Sequence, residues 1–273
     1  MRCPRSSLGE TAPSIPSSSA ATTSSTLRRR GLGGFFGMAL DTFVCMFQRP
    51  FAWREYLLQT WFVARVSLVP TLMLSIPFTV LTVFTFNVLL VEFGAADFSG
   101  TGASLGTVNQ TGPIVTVLVV AGAGATAMCA DLGARTIREE LDALRVMGVN
   151  PIQSLVVPRV LAATTGALLL SSLVILVGLA GGFVFSVYFQ HVTPGAFVAG
   201  MTLITGLSDV VIALIKATLF GLTAGLIACY MGTSVGGGPA GVGNAVNETV
   251  VFSFVALFVI NVIVTAVGFQ VTP

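Results

Sequence analysis

Long apolar segments, separated by short polar ones, dominate the chain after residue 65. Five of them are close to or longer than the roughly 20 residues that an α-helix needs to cross ~30 Å of hydrocarbon. They lie at 66–91, 113–130, 155–189, 209–231 and 249–269. A Gly-rich hydrophobic segment at 195–206 precedes the fourth and is expected to be re-entrant or interfacial. The pattern predicts an all-α integral membrane protein with five transmembrane helices.

Residues 31–65 combine apolar and charged positions at helical spacing. A first amphipathic stretch ends at Arg49-Pro50, and a second has its apolar positions at Trp53, Leu57, Leu58, Trp61 and Phe62. Helices of this kind, with Trp at the depth of the lipid headgroups, lie in the membrane interface. Packing against the protein's own helices would give the same pattern, and both interpretations stay open.

Residues 1–30 are rich in Ser, Thr, Pro and Arg, and Glu10 is their only acid. So few large apolar residues cannot offset the entropy of ordering, and the segment is predicted to be a disordered cytoplasmic tail. An organelle transit peptide has a similar composition, and an incorrectly assigned start codon would also produce such a segment. The predicted organisation is a tail at 1–30, interfacial helices at 31–65 and a five-span domain at 66–273.

Composition excludes the ordinary soluble enzyme classes. Hydrophobic residues make up 54% of the chain and charged residues 9%, whereas a soluble domain has roughly a quarter of its residues charged. The net charge of +2 is too small to indicate a nucleic-acid partner. The four cysteines have neither the spacing of a metal site nor that of a disulfide framework. No metal site is therefore predicted.

The chain contains one lysine, Lys216, which follows Leu214-Ile215. A phosphate-binding P-loop requires Gly-Lys-Ser/Thr after a Gly-rich turn, so this chain cannot hydrolyse ATP by that route. We therefore predict no catalytic residue and no cofactor in this chain. If transport is driven by ATP, then ATP and Mg belong to a separate ATPase subunit.

Arginine is distributed asymmetrically along the chain. It occurs before the first span and between spans two and three, whereas the connectors 92–112 and 190–208 contain neither Lys nor Arg. Cytoplasmic loops of membrane proteins carry the excess of basic residues. The N-terminus is therefore predicted to be cytoplasmic, and five spans place the C-terminus outside.

The charged segment between spans two and three predicts a short helix at 136–147. Thr136 and Glu139 have the spacing of a capping box, and Gly148 followed by Asn150-Pro151 ends the helix. One face is apolar, with Ile137, Leu141, Leu144 and Met147, and the other carries Arg138, Glu139, Asp142 and Arg145. A solvated loop helix without a partner is one interpretation. The other is a docking helix whose apolar face enters a groove on a partner while its charges set the register.

A family resemblance covers residues 31–270. The segment ADLGARTIREELDALRVMGVNPIQSLVVPRVLA at 130–162 closely resembles the hallmark segment of the MlaE/YrbE permease family, the membrane subunits of MCE-type ABC lipid transporters. Further segments that resemble this family, in its A-type branch, are WREYLLQTWFVARVSLVPTLMLSIPF at 53–78, Gly112-Pro113, IKATLFG at 215–221, Cys229-Tyr230 and GGPAGVGNAVNETVV at 237–251. Two positions depart from the family pattern, since Asn109-Gln110 stands where many relatives carry Arg-Glu and Ala240 replaces a charged residue.

The resemblance implies a permease subunit with an N-terminal interfacial elbow helix, five spans and a cytoplasmic coupling helix at 136–147. It also implies an ABC ATPase dimer docked on that helix, a B-type second permease subunit, MCE proteins on the outer side and a lipid substrate. The expected location is a bacterial cytoplasmic membrane. On this interpretation the lipid path passes near the outer halves of spans one and two, with Phe84, Val88, Asn109 and Gln110 as lining residues.

Ionisable residues inside the membrane are costly and therefore candidates for function. Lys216 follows Asp209 by seven residues, which places both on one face of the fourth span. Lys216 is predicted to pair with Asp209 or with Glu92 at the end of span one, or to extend its ammonium towards the outer surface. Two alternatives to an ABC permease stay open, namely an ion- or proton-coupled secondary transporter that uses Glu92, Asp209 and Lys216, and a structural scaffold for outer partners.

Overall fold

A computed structural model describes residues 32–46, 52–94, 98–190, 192–204, 206–236 and 238–271, so the predicted tail at 1–30 lies outside the described residues. Within these ranges every regular element is helical. Five helical stretches are long and apolar enough to cross a membrane, as predicted: Trp53–Leu90, Gly100–Ile137, Ile152–Phe189, Asp209–Thr233 and Pro239–Gly268. We number these stretches as spans one to five.

Ten α-helices build the described part of the chain. They are α1 (Leu32–Met46), α2 (Trp53–Glu92), α3 (Ser99–Leu105), α4 (Gly112–Val119), α5 (Thr126–Ile137), α6 (Glu140–Val146), α7 (Val157–Gln190), α8 (Pro194–Ile204), α9 (Leu207–Thr233) and α10 (Pro239–Val271). Three π-helical segments, Gly106–Thr111, Val120–Ala125 and Ile152–Val156, join α3, α4 and α5 into span two and precede α7 in span three. The predicted segment at 195–206 largely coincides with α8.

The first span is longer than its predicted range of 66–91. Helix α2 runs for 40 residues without the predicted boundary at residue 65, and it contains Pro70 and Pro77. The sequence between Trp53 and Val66 contains no Gly or Pro to end a helix, and membrane helices tolerate internal prolines. The helix is ~60 Å long, about twice the thickness of the hydrocarbon core. The second amphipathic stretch is therefore continuous with the helix of span one.

Small side chains let α2 and α7 approach closely. Every fourth residue of α2 from Ser67 to Thr79 is a buried Ser or Thr. A methyl group added to Gly166 of α7 would lie 3.0 Å from Val63, and one added to Gly182 would lie 3.3 Å from Val83. Small residues at such interfaces allow close backbone packing between membrane helices. The order of these contacts shows that α2 and α7 run parallel.

Spans that follow one another in the sequence run in opposite directions, so the bundle has two distinct ends. Thr82 of span one lies 2.9 Å from Thr111 of span two, oxygen to oxygen, whereas Ser67 lies beside Gly124. One end contains the start of α2, the end of α5, helix α6 and the start of α7, and we call it the charged end. The described arginines all lie in this half of the bundle: Arg54, Arg65, Arg135, Arg138, Arg145 and Arg159.

Candidate functional site

The segment between spans two and three folds differently from the predicted single helix at 136–147. Helix α5 continues through Thr136 to Ile137, and α6 begins at Glu140 after a turn in which Glu139 has a φ of 59°. The Thr136 hydroxyl lies 2.9 Å from the Leu132 carbonyl oxygen and 3.0 Å from that of Gly232 in α9. Thr136 therefore connects α5 to α9 instead of capping α6 through the predicted capping box.

Helix α6 turns its apolar face towards its own chain. Leu141 is buried and Leu144 partly buried in a cluster with Met38 of α1 and with Leu155. Leu141 and Leu144 are therefore covered by α1 and by the segment before α7, whereas Met147 of the same predicted face stays exposed. The nearby Cys45 Sγ of α1 also lies 4.0 Å from Nδ2 of Asn150.

The outer surface of α6 combines charge pairs with an apolar end. Asp142 accepts a hydrogen bond of 2.8 Å from Arg145. Arg138, which lies in the turn before α6, pairs with Glu140 at 3.0 Å. Behind these pairs, three exposed residues form what we call the docking tip: Val146 (89% exposed), Met147 (68%) and Val149 (43%). Of the predicted docking residues, Arg138, Glu139, Asp142 and Arg145 are accessible to a partner, whereas Thr136, Leu141 and Leu144 are wholly or partly covered.

A cluster of charged side chains lies behind α6, and we call it the ion cluster. It contains Arg159 at the start of α7, Asp131 and Arg135 in α5, and Glu55 in the first turn of α2. Nη2 of Arg159 lies 2.6 Å from Oδ2 of Asp131 and 3.6 Å from Oε1 of Glu55, while Nη1 donates to the Leu155 carbonyl oxygen at 3.0 Å. Nε of Arg135 lies 3.5 Å from the same Asp131 oxygen. The cluster connects spans one, two and three.

Sequence reasoning missed the ion cluster. Outside the predicted helix at 136–147, arginines served there only as evidence for orientation, and Glu55 lies within the second stretch predicted to be amphipathic. The signal that could have revealed the cluster is the place of Arg159 inside the predicted third span at 155–189, because a charge within an apolar segment requires a partner. The sequence contains several carboxylates that could serve, and only the fold shows which of them lie near it.

The predicted lipid-path residues lie on neighbouring turns of spans one and two. Asn109 and Gln110 belong to the π-helical segment Gly106–Thr111, and a methyl group on Gly106 would contact Thr82 and Phe86 of α2. Gln110 is exposed and Asn109 half-buried. Phe84 is 49% exposed and Val88 39% exposed. Asn109 and Gln110 are thus uncharged polar residues in a π-helical segment, and such segments are frequent at functional sites.

An apolar groove of about 440 Å³ lies between α2 and α7 in the half of the bundle away from the charged end. Its walls are formed by Ile76, Thr79, Val80, Val177, Ala180, Gly181, Val184, Phe185 and Phe189. Phe185 also packs edge to face on Phe84, with the ring centres 6.0 Å apart. The groove therefore adjoins Phe84, one of the four predicted lipid-path residues.

The predicted intramembrane charge group is spread over three sites. Lys216 is 3% exposed, and within the part of the chain that the structure describes no carboxylate lies within 4.0 Å of its ammonium. Oδ2 of Asp209 accepts a hydrogen bond of 3.1 Å from the Gly206 backbone N–H at the start of α9. Glu92 is exposed at the end of α2. The pairing of these groups stays a prediction.

No group of three or more His, Cys, Asp or Glu side chains that could hold a metal ion occurs among the residues of the described ranges. Cys45, Cys129 and Cys229 are buried free thiols, and Cys3 lies outside the described residues. Burial, assisted by the Asp41 carboxylate, raises the pKa of the Cys45 thiol. Because the thiolate is the reactive form, this shift lowers the fraction of Cys45 that is reactive at neutral pH.

Comparisons with known proteins agree on one family. The sequence profile described as Permease MlaE matches residues 56–267. A probable ABC transporter permease protein of Synechocystis is 35% identical over 70% of this chain and 73% of that protein. The intermembrane phospholipid transport system permease protein MlaE of Haemophilus influenzae is 30% identical over 67% of this chain and 70% of its own length. The chloroplastic protein TRIGALACTOSYLDIACYLGLYCEROL 1 of Arabidopsis thaliana is 31% identical over 59% of this chain and 46% of that protein.

Proposed function

The chain belongs to the MlaE permease family, and we propose that it is the membrane-spanning subunit of an ABC transporter that moves lipids or other hydrophobic substrates across the cell envelope. The observation that carries this proposal is the position of α6. This helix and its docking tip project from the charged end between spans two and three, within the residues that match the family. A separate ABC ATPase dimer, which holds ATP and Mg, docks there.

The orientation follows from the arginines. Because the described arginines lie in the half of the bundle at the charged end, and because cytoplasmic segments carry the excess of basic residues, this end faces the cytoplasm. The N-terminus is then cytoplasmic and the C-terminus lies outside. The proposed location is the bacterial cytoplasmic membrane.

A B-type permease subunit completes the membrane domain, and MCE proteins receive or deliver the lipid on the outer side. The exposed face of α10 supports a second membrane subunit. It presents a continuous set of apolar side chains: Val251, Phe252, Val255, Phe258, Val259, Val262 and Ile263. Membrane helices associate through packing of such surfaces when the partner is complementary in shape.

The lipid path is proposed to run along Phe84, Val88, Asn109 and Gln110. The exposure of Phe84 and Val88, the two polar side chains of the π-helical segment and the adjoining groove support this location. Asn109 and Gln110 carry no charge, so they recognise a headgroup through hydrogen bonds alone. The charge group of Glu92, Asp209 and Lys216 is proposed to form in the assembled transporter, where Lys216 pairs with one of the two carboxylates.

The docking assignment can be tested by purification of the chain with its ATPase in detergent. Val146→Asp combined with Met147→Asp should abolish recovery of the ATPase while membrane insertion is retained, because both side chains are exposed and have few contacts to lose. Glu139→Lys combined with Asp142→Arg should weaken recovery. Arg54→Glu changes an exposed charge at the same end and serves as the control. Unchanged ATPase recovery with both double variants would contradict the assignment.

The same preparation separates the alternatives. An ion-coupled secondary transporter that uses Glu92, Asp209 and Lys216 would move substrate without ATP and would lose this activity with Lys216→Met. A structural scaffold would hold its outer partners but transfer no lipid. Reconstitution into vesicles of phosphatidylethanolamine and phosphatidylglycerol, with and without ATP, distinguishes these outcomes from ATP-dependent lipid transfer.

A further inference from the structure

The ion cluster leaves two of its hydrogen-bond donors without an acceptor. Among the described residues, the buried Nε groups of Arg159 and Arg135 have no hydrogen-bond partner. Oδ2 of Asp131 receives the short contact from Arg159 at 2.6 Å, while Nε of Arg135 stays 3.5 Å from the same oxygen. A buried charge-bearing donor without an acceptor is destabilising. The observed arrangement therefore leaves one donor of each arginine unsatisfied.

A second arrangement of the same four side chains would satisfy both arginines. Glu55 already lies 3.6 Å from Nη2 of Arg159, and its Oε1 is held by Nε2 of Gln59 at 3.0 Å. If Arg159 turned to Glu55, its Nε and Nη2 could bind the two carboxylate oxygens side by side. Asp131 would then be free to accept from Nε of Arg135. No charge would lose its partner in this exchange.

The two acceptors belong to different parts of the fold. Asp131 lies nine residues before α6 and Arg159 lies 13 residues after it, so their contact closes the loop that carries the docking tip. Glu55 belongs to span one, which also carries Phe84 and Val88 of the proposed lipid path. The choice of acceptor thus connects Arg159 either to the docking loop or to span one.

We propose that Arg159 is a positioning residue that exchanges Asp131 for Glu55, and that this exchange couples the docking loop to span one. The coupling role rests on the proposed ABC permease function, whereas the exchange itself is a property of this chain. Packed elements of this kind have discrete arrangements and not a continuous range. The residue is fully buried, so the exchange occurs without contact between Arg159 and bulk solvent.

Two nearly isosteric variants select one arrangement each. Glu55→Gln weakens Glu55 as an acceptor and keeps the observed pair of Arg159 with Asp131. Asp131→Asn weakens Asp131 as an acceptor and favours the pair of Arg159 with Glu55. Glu248→Gln, which alters an exposed carboxylate on α10 in the same half of the bundle, is the matched control. Arg159→Lys keeps the charge but cannot bind two oxygens side by side.

The exchange is measured on the full chain by electron–electron distances between spin labels at Leu58 and Ala134, which are exposed on α2 and α5. The wild type should show two distance populations that differ by ~1–2 Å, as expected for helix shifts. Glu55→Gln should retain one of them and Asp131→Asn the other. A single population common to all variants would overturn the exchange, whether or not the chain is an ABC permease.

The coupling is measured on the complex with its ATPase. Glu55→Gln should keep ATPase recovery and basal ATP hydrolysis but reduce ATP-dependent lipid transfer at least tenfold. Arg159→Lys, which keeps the positive charge, should also fail to reach the wild-type rate of transfer. A general structural defect would instead lower both the recovery of the ATPase and the rate of ATP hydrolysis. Wild-type transfer in both Glu55→Gln and Asp131→Asn would overturn the coupling role, while failure of the wild type to bind an ATPase would count against the proposed function alone.

Discussion

Among the residues that the structure describes, two basic side chains are buried in the bundle, and their surroundings differ. Arg159 has no exposed surface, and it contacts Asp131, Glu55 and the Leu155 carbonyl oxygen. Lys216 is 3% exposed, and no described carboxylate lies within 4.0 Å of it. A buried charge is tolerated only when it is paired or neutralised. The charge of Arg159 is therefore paired within one chain, whereas Lys216 has no described carboxylate beside it to balance its charge.

Removal of Arg159 should have the largest effect on stability. Arg159→Met leaves Asp131 and Glu55 without their shared cation, which costs about 3–5 kcal/mol for a buried pair. We expect the lower end of this range, because the two carboxylates are 31% and 25% exposed. The unfolding of the full chain in mixed detergent micelles, followed by the fluorescence of its tryptophans, measures the change.

The control for this prediction removes Arg159 together with both of its carboxylate partners, while Arg135, with its side chain 29% exposed, keeps contact with solvent. Arg159→Met combined with Asp131→Leu and Glu55→Gln should recover most of the lost stability, because replacement of a buried ion pair by apolar groups is often neutral. If Arg159→Met costs less than about 1 kcal/mol, the ion cluster behaves as a surface pair and the contrast with Lys216 fails.

Loss of Gln59 should have an intermediate effect. Its side chain is 6% exposed, and its Nε2 donates to Oε1 of Glu55 at 3.0 Å. Gln59→Leu keeps the volume but removes this donor, and hydrogen bonds to charged groups contribute about 1.5–3 kcal/mol. The expected loss is about 1.5 kcal/mol in the same unfolding measurement. Gln59→Glu, which adds a second carboxylate, should be more destabilising than Gln59→Leu.

The sequence predicted the helical class and five spans because their cause is local, namely the length of apolar segments. It also located the fourth span within two residues at each end, since 209–231 became Leu207–Thr233. It could not reveal that α2 continues through residue 65, because an amphipathic stretch beside a span is compatible with either a bend or a continuous helix. The orientation of α6 depends on α1, and the partners of Arg159 depend on the packing of α2 and α5. Both are tertiary contacts that no periodicity encodes.

Removal of a surface arginine should have a small effect on stability. It tests whether burial of the charge or the charge itself determines the loss. Arg138 pairs with Glu140 at 3.0 Å, but its side chain is 64% exposed. Exposed ion pairs contribute about 0.2–1 kcal/mol and are screened by salt. Arg138→Ala should therefore reduce stability by about 0.5 kcal/mol at low ionic strength, and the loss should vanish at 1 M NaCl. A loss as large as that of Arg159→Met would show that the number of charges at this end matters more than their burial.

Removal of Lys216 should have the smallest cost. Lys216→Met retains an unbranched side chain of similar length, and it removes a buried charge without leaving a described carboxylate unpaired. The isolated chain should therefore lose no stability or become slightly more stable.

Asp209→Leu is the comparison variant, because it removes the acceptor of the Gly206 N–H and should cost about 1 kcal/mol. A double-mutant cycle of the two changes should give no coupling energy in the isolated chain. If assembly brings Lys216 and Asp209 together, the same cycle in the assembled transporter should give a coupling energy above about 0.5 kcal/mol. A loss of more than about 1 kcal/mol for Lys216→Met in the isolated chain would show that Lys216 already has a partner within it, and the difference between the two buried cations would disappear.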